Sequence, residues 1–155
     1  MNDLILSGLI FSPLLAALVV LLMPARMQQP IRLVALLGTA VQLVLALLLY
    51  FKFDGTAFAN GQTGYQFVEK ASWIGFTLGS LGRLQIDYFV GVDGISIGLV
   101  LLTGIVGVIG IISSWTISKN VKGYFLLYLL LMTSVMGCFL ALDFFLFYLF
   151  FEFML

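Results

Sequence analysis

Four stretches of this chain run without a charge for about the thickness of a lipid bilayer. They cover residues 4–23, 33–51, 95–117 and 123–142, which is 20, 19, 23 and 20 residues. At about 1.5 Å of helix rise per residue, each reaches roughly the 30 Å of hydrocarbon that a spanning helix must cross. Composition removes the soluble alternative. The chain is 63% hydrophobic and 9% charged, whereas a soluble domain carries roughly 25% charged residues. The expected fold is all-α and integral to the membrane, one multi-helix transmembrane bundle in a lipid bilayer.

The few ionisable groups limit the chemistry further. Seven basic and seven acidic residues cancel, which argues against a nucleic-acid partner. There is one cysteine, Cys138, and no histidine. A disulfide framework, a Cys/His zinc site, histidine-ligated haem and an iron–sulfur cluster are therefore excluded within this chain. No metal or cofactor site is expected in it. Nor does the sequence contain a nucleophile–base pair or a phosphate-binding glycine loop of the kind a soluble enzyme uses. Asp3 stands where a cleavable signal would have basic residues, and the first apolar run is too long for a signal core, so it reads as a transmembrane helix.

Several residues inside the spans read as packing elements. Pro13 is expected to kink the first helix or free a carbonyl. Gln42 is expected to hydrogen-bond to a neighbouring helix, and Gly104, Gly107 and Gly110 to let helices approach closely. Cys138 reads as a buried structural thiol. Residues 52–88 differ, with Lys52, Asp54, Glu69, Lys70, Arg83 and Asp87 among many glycines. There Leu84, Ile86, Tyr88 and Val90 alternate with Arg83, Gln85 and Asp87, a period of two that predicts a strand, and Tyr65–Glu69 alternates more weakly. A short β-hairpin lying on the membrane surface follows, with Trp73 anchored among the headgroups. Asp93 and Asp143 are candidate helix N-caps.

Orientation follows from the short loops. Residues 24–32 and 118–122 hold Arg26, Arg32, Lys119 and Lys122 and no acid. Basic density in short loops marks the cytoplasmic side, so the N-terminus, residues 52–88 and Asp143 are expected to face outward. The last apolar segment, 144–155, has 12 residues, about 18 Å of helix. It is too short to span and reads as part of a longer membrane protein.

That segment contains the most unusual residue. Glu152 lies nine positions beyond Asp143, about 13 Å along a helix, which puts it near the bilayer midplane. A carboxylate there is costly unless it is protonated, paired or facing water, and intramembrane acids mark ion or proton paths. No other span offers a cation, so a partner on another helix or a raised pKa is required. Tyr148, one turn earlier, shares the face and is placed to donate a hydrogen bond. An acid merely tolerated at a protein contact is the plainer alternative.

Two motifs carry a family resemblance that covers nearly the whole chain and is strongest over 88–155. Tyr88-Phe-Val-Gly-Val-Asp-Gly-Ile-Ser96, leading into an apolar helix that ends at Ser114-Trp115, is similar to the start of the third helix in the antiporter-like subunits of respiratory complex I. Phe150-Phe-Glu-Phe-Met-Leu155, after the Asp143 turn, resembles their fifth helix. Within that family the M type, equivalent to mitochondrial subunit 4, fits best. The resemblance implies inverted helix repeats, no redox cofactor in the chain, and proton movement driven by NADH oxidation and quinone reduction. It implies that NAD, FMN, iron–sulfur clusters and quinone belong to other subunits, and that the partners are other membrane subunits of the complex. It assigns proton transfer to Glu152, paired with a lysine on a later, broken helix. It places the chain in the inner (cytoplasmic) membrane as a multi-pass protein. Sister families are multi-subunit cation/proton antiporters and membrane-bound hydrogenases.

Overall fold

A computed structural model describes residues 4–55, 64–77 and 83–155. The elements are α1 (Ile5–Leu22), α2 (Gln28–Lys52), β1 (Gln66–Thr77), β2 (Arg83–Val92), α3 (Ser96–Ser113) with a closing 3-10 turn (Ser114–Thr116), α4 (Val121–Leu140) and α5 (Phe144–Met154). The first four helices are long and apolar enough to cross a membrane, and α5 is shorter. α2 begins five residues before the uncharged run that predicted it. Pro30 does not break it there, because the N–H that proline lacks would have no partner in a first helical turn. Arg32 therefore belongs to the helix, is buried, and donates from Nη2 to the Ile117 carbonyl at 2.7 Å.

α1 packs on α2 and α4, α2 on α3, and α4 on α5. Two apolar cores result. One gathers Leu6, Leu9, Ile10, Val90, Leu140 and Phe150, the other Ala17, Val20, Ile31, Ile111, Phe125 and Leu129. Between them lies a layer of buried polar side chains, Thr39, Gln42, Thr103, Thr133 and Ser134. The threonine and serine hydroxyls are spent on carbonyls of their own helices, at 2.7 to 3.2 Å. Gln42 has a different task. Pro13 lies inside α1 and has no N–H for the carbonyl of Leu9 four residues back. Gln42 Nε2 and Ser12 Oγ both point at that carbonyl, each at 3.4 Å. The freed carbonyl and the interhelical hydrogen bond expected from sequence are thus one feature. Gly104 serves close packing as expected: a Cβ there would stand 3.3 Å from the Leu43 Cα on α2.

The hairpin is antiparallel, pairing Gln66 with Val92 and Thr77 with Arg83 at its ends. Two bulges each add a residue to β1, between Gln66 and Glu69 and between Ser72 and Ile74. Phe67, inside the first, takes the left-handed φ of 54° that such a distortion requires. The hairpin is also bonded to the bundle. Leu142 N donates to Phe89 O at 2.8 Å, and Val90 bridges Ala141. β2 leads straight into α3 through a reciprocal turn. Asp93 Oδ1 accepts from the N–H groups of Ile95 and Ser96, and Ser96 Oγ accepts from Asp93 N at 2.8 Å. The Ser96 N–H is the main reason the Asp93 carboxyl lies below its ordinary range. Asp93 thus caps the turn before α3, whose own N-cap position is Ile95.

Candidate functional site

α5 is fixed from both ends of its buried face. Asp143 stands at its N-cap and accepts from Phe145 N and Leu146 N at 2.9 and 3.1 Å, satisfying two of the donors a helix start leaves free. Leu146 and Phe150, one turn apart, are buried. Phe150 lies flat against α4 where Gly137 has no side chain, and a Cβ there would overlap the ring. This contact sets the rotation of α5. The residues on its other side, Phe145, Tyr148, Leu149 and Glu152, turn towards the hairpin.

There they meet Trp73 and Ile86 across an open cleft of about 540 Å³. Glu152 is exposed in this cleft, and Tyr148 is close enough to interact with its carboxylate. Glu152 has no cationic partner among the described residues; the Lys70–Asp87 ion pair, at 3.1 Å, lies within the hairpin. The cleft is otherwise lined by apolar side chains, so its floor presents one ionisable group and one hydroxyl in an oily setting. Such a carboxylate can be held by protonation or by a cation brought to it, and it can pass a proton between the two states. Trp73 takes part here as a wall of the cleft.

A second acid, Glu69, is buried to 7% exposure. It sits at the N-terminus of α1, where the N-cap residue Leu4 has no side-chain acceptor. Glu69 Oε1 accepts from Leu6 N at 2.7 Å, Oε2 accepts from Ser7 N at 3.1 Å, and the Ser7 hydroxyl donates to Oε2 as well. Ser7 Oγ is also 2.9 Å from the Tyr88 hydroxyl. Burial, reinforced by the nearby Glu69 carboxylate, keeps that phenol above its ordinary range. At the opposite end, Lys122 Nζ donates to the carbonyls of Leu21 and Met23, both at 2.8 Å. The two ends of α1 thus hold an anion and a cation that complement its dipole. In sequence Glu69 is one of several charges between residues 52 and 88, and Lys122 marks only orientation. Neither pairing has a local signal, because each joins residues more than sixty positions apart.

No protein-family model matches the chain. Individual relatives do. Subunit M of NADH-quinone oxidoreductase from Rickettsia typhi is 35% identical over 96% of this chain and 29% of its own length. Subunit M from Rhodobacter capsulatus is 40% identical over 77% of this chain and 20% of its length. Chain 4 of the chloroplast NAD(P)H-quinone oxidoreductase from Chara vulgaris is 34% identical over 95% of this chain and 28% of its length. The chain therefore spans under a third of the length of these relatives.

Proposed function

Since the chain belongs to the family of subunit M and chain 4 of the NADH–quinone oxidoreductases, we propose that it forms part of a proton-translocating membrane subunit of that complex. The observation that carries this reading is the placement of Glu152. It lies about 13 Å along a helix from the capped turn at Asp143, in an apolar cleft, with no cation among the described residues to neutralise it. A carboxylate so placed is a proton acceptor awaiting a cationic partner from another helix. In this reading the chain holds no redox group. NADH oxidation and quinone reduction take place on other subunits, which carry NAD, FMN, the iron–sulfur clusters and quinone. The partners are the other membrane subunits and the surrounding lipid.

In the inner (cytoplasmic) membrane, the hairpin and the Asp143 turn face outward. The ends bearing Arg26, Arg32, Lys119 and Lys122 face the cytoplasm, in keeping with the positive-inside bias. Deleting the gene and measuring NADH-driven proton uptake by inverted membrane vesicles tests the assignment. The expected result is lost uptake, restored by the plasmid-borne gene. Undiminished NADH-driven uptake, together with a growth defect confined to sodium at alkaline pH, would instead assign the chain to a cation/proton antiporter.

A further inference from the structure

Arg32 is a buried cation that lacks an anion. It is 8% exposed. Its Nη2 donates to the Ile117 carbonyl, and its Nε is buried without a hydrogen-bond partner. One carbonyl takes up one donor and leaves the charge unbalanced, and an unbalanced charge away from water is heavily penalised. Among the described residues no acid stands at this end of the bundle. Asp54, Glu69, Asp87, Asp93 and Asp143 lie at the hairpin end, and Glu152 faces the α5 cleft.

The same end is positive for a second reason. α2 and α4 both start there, close together, since Ile31 and Val121 pack in one core. No side chain caps either start, and neither first turn holds an acid. Both helices therefore point the positive ends of their dipoles at one place, a setting that favours a bound anion. The Ile117 contact puts the Arg32 guanidinium just before Asn120, the N-cap position of α4. Depth suggests which anion. The uncharged run after Arg32, residues 33–51, has 19 residues, about 28 Å of helix, so Arg32 stands at the edge of the hydrocarbon. On one side of it Leu33 and Leu37 are exposed along α2; on the other, Arg26 and Lys119 are exposed in the flanking loops.

We propose that this end of the bundle binds a phospholipid, its phosphate held by Arg32 at the starts of α2 and α4 and an acyl chain lying along Leu33 and Leu37. The guanidinium keeps Nη2 on the Ile117 carbonyl or exchanges it for a phosphate oxygen, and its Nε–H gains the acceptor that the chain does not provide. The Nε is covered as it stands, so the side chain turns about its last bonds to present it. A planar guanidinium suits a phosphate because two of its N–H groups can meet two oxygens. Arg26 and Lys119 add charge at headgroup level. A carboxylate from a neighbouring protein would balance Arg32 as well, but it would not account for the apolar track that begins beside it.

The test uses the assembled complex, purified in detergent and stripped of lipid, carrying Met27→Cys in a Cys138→Ser background. Met27 is exposed at the start of α2, so maleimide labelling of that thiol reads whether the site is covered. Phosphatidylglycerol at about ten times its half-protecting concentration should slow labelling about tenfold. Diacylglycerol, which has the tails without the phosphate, and inorganic phosphate, which has no tails, should each leave labelling unchanged. Arg32→Gln should cancel the protection, and Arg32→Lys should keep only part of it. Labelling indifferent to phosphatidylglycerol overturns the site and leaves Arg32 to a carboxylate from another subunit or to its role at the end of α3. Equal protection by diacylglycerol, or undiminished protection in Arg32→Gln, also overturns it. Protection by inorganic phosphate alone would replace the lipid with a free anion. Should Arg32→Gln fail to assemble, the lipid arms on the Met27→Cys complex and the Arg32→Lys variant still decide.

Discussion

Replacing Glu69 with leucine is expected to destabilise the chain by about 1–4 kcal/mol, because it strips the acceptor from one buried N–H group, at roughly 1–3 kcal/mol, and from one half-buried N–H group that costs less. Those groups, on Leu6 and Ser7, belong to the first turn of α1 and take no other acceptor among the described residues. Leucine fills a similar volume and cannot accept. The hairpin would also lose one of its polar ties to α1, keeping the Tyr88–Ser7 hydrogen bond and the contacts of Val90, Val92 and their apolar neighbours. Glutamine retains one acceptor oxygen and should lose less than half as much. Thermal melting of the purified complex in detergent checks this, with the amount of assembled complex in membranes as a second measure. A Glu69→Leu chain that melts within about 0.5 kcal/mol of the parent would mean that solvent or headgroups satisfy the α1 start as well as Glu69 does.

Gly137→Leu should separate α5 from α4. Even a methyl group at position 137 would occupy the space of the Phe150 ring, and an aromatic ring against a helix backbone has no small adjustment available. Overpacking of this kind costs about 1–3 kcal/mol when the surroundings relax, and more when they cannot. Because Phe150 and Leu146 hold the buried side of α5, a displaced ring takes with it the surface that carries Tyr148 and Glu152. The consequence can be read by labelling Leu146→Cys with a maleimide in a Cys138→Ser background. Leu146 is 2% exposed, so the introduced thiol should be protected in the parent and react when Gly137→Leu is added. Continued protection would show that α5 tolerates the side chain in place.

The spans and the hairpin were legible in sequence for simple reasons. An uncharged run of about twenty residues has few alternatives to a spanning helix, and the alternation of Leu84, Ile86 and Tyr88 with Gln85 and Asp87 marks a strand. Pro13 and Gln42 were each readable as unusual, but only the folded bundle brings the Gln42 amide to the carbonyl that Pro13 frees. Glu69 escaped for a geometric reason. Counting by twos from Gln66 sends residue 69 to the opposite face, yet the bulge makes Gln66 face Val92 and Glu69 face Val90, on one side of β2. Nothing local announces that extra residue. The start of α2 was misplaced because Pro30 signals a break by composition and is harmless by position. Lys122 stands in the first turn of α4, where a cation opposes the helix's own dipole. Its place makes sense only once the last carbonyls of α1 are seen beside it.

Glu152 was conspicuous in sequence, and the fold sharpens what surrounds it. It faces a cleft whose opposite wall is Trp73 and Ile86 of the hairpin, on a helix whose rotation is set by Gly137 and Phe150. Its role is tested most directly by NADH-driven proton pumping in vesicles carrying Glu152→Gln, normalised to assembled complex. Glutamine keeps the size and polarity of the side chain and removes its ability to take up a proton. Pumping should be lost while the complex assembles at the parental level. Parental pumping by an assembled Glu152→Gln complex would contradict the assignment and leave Glu152 as a tolerated acid at a helix contact.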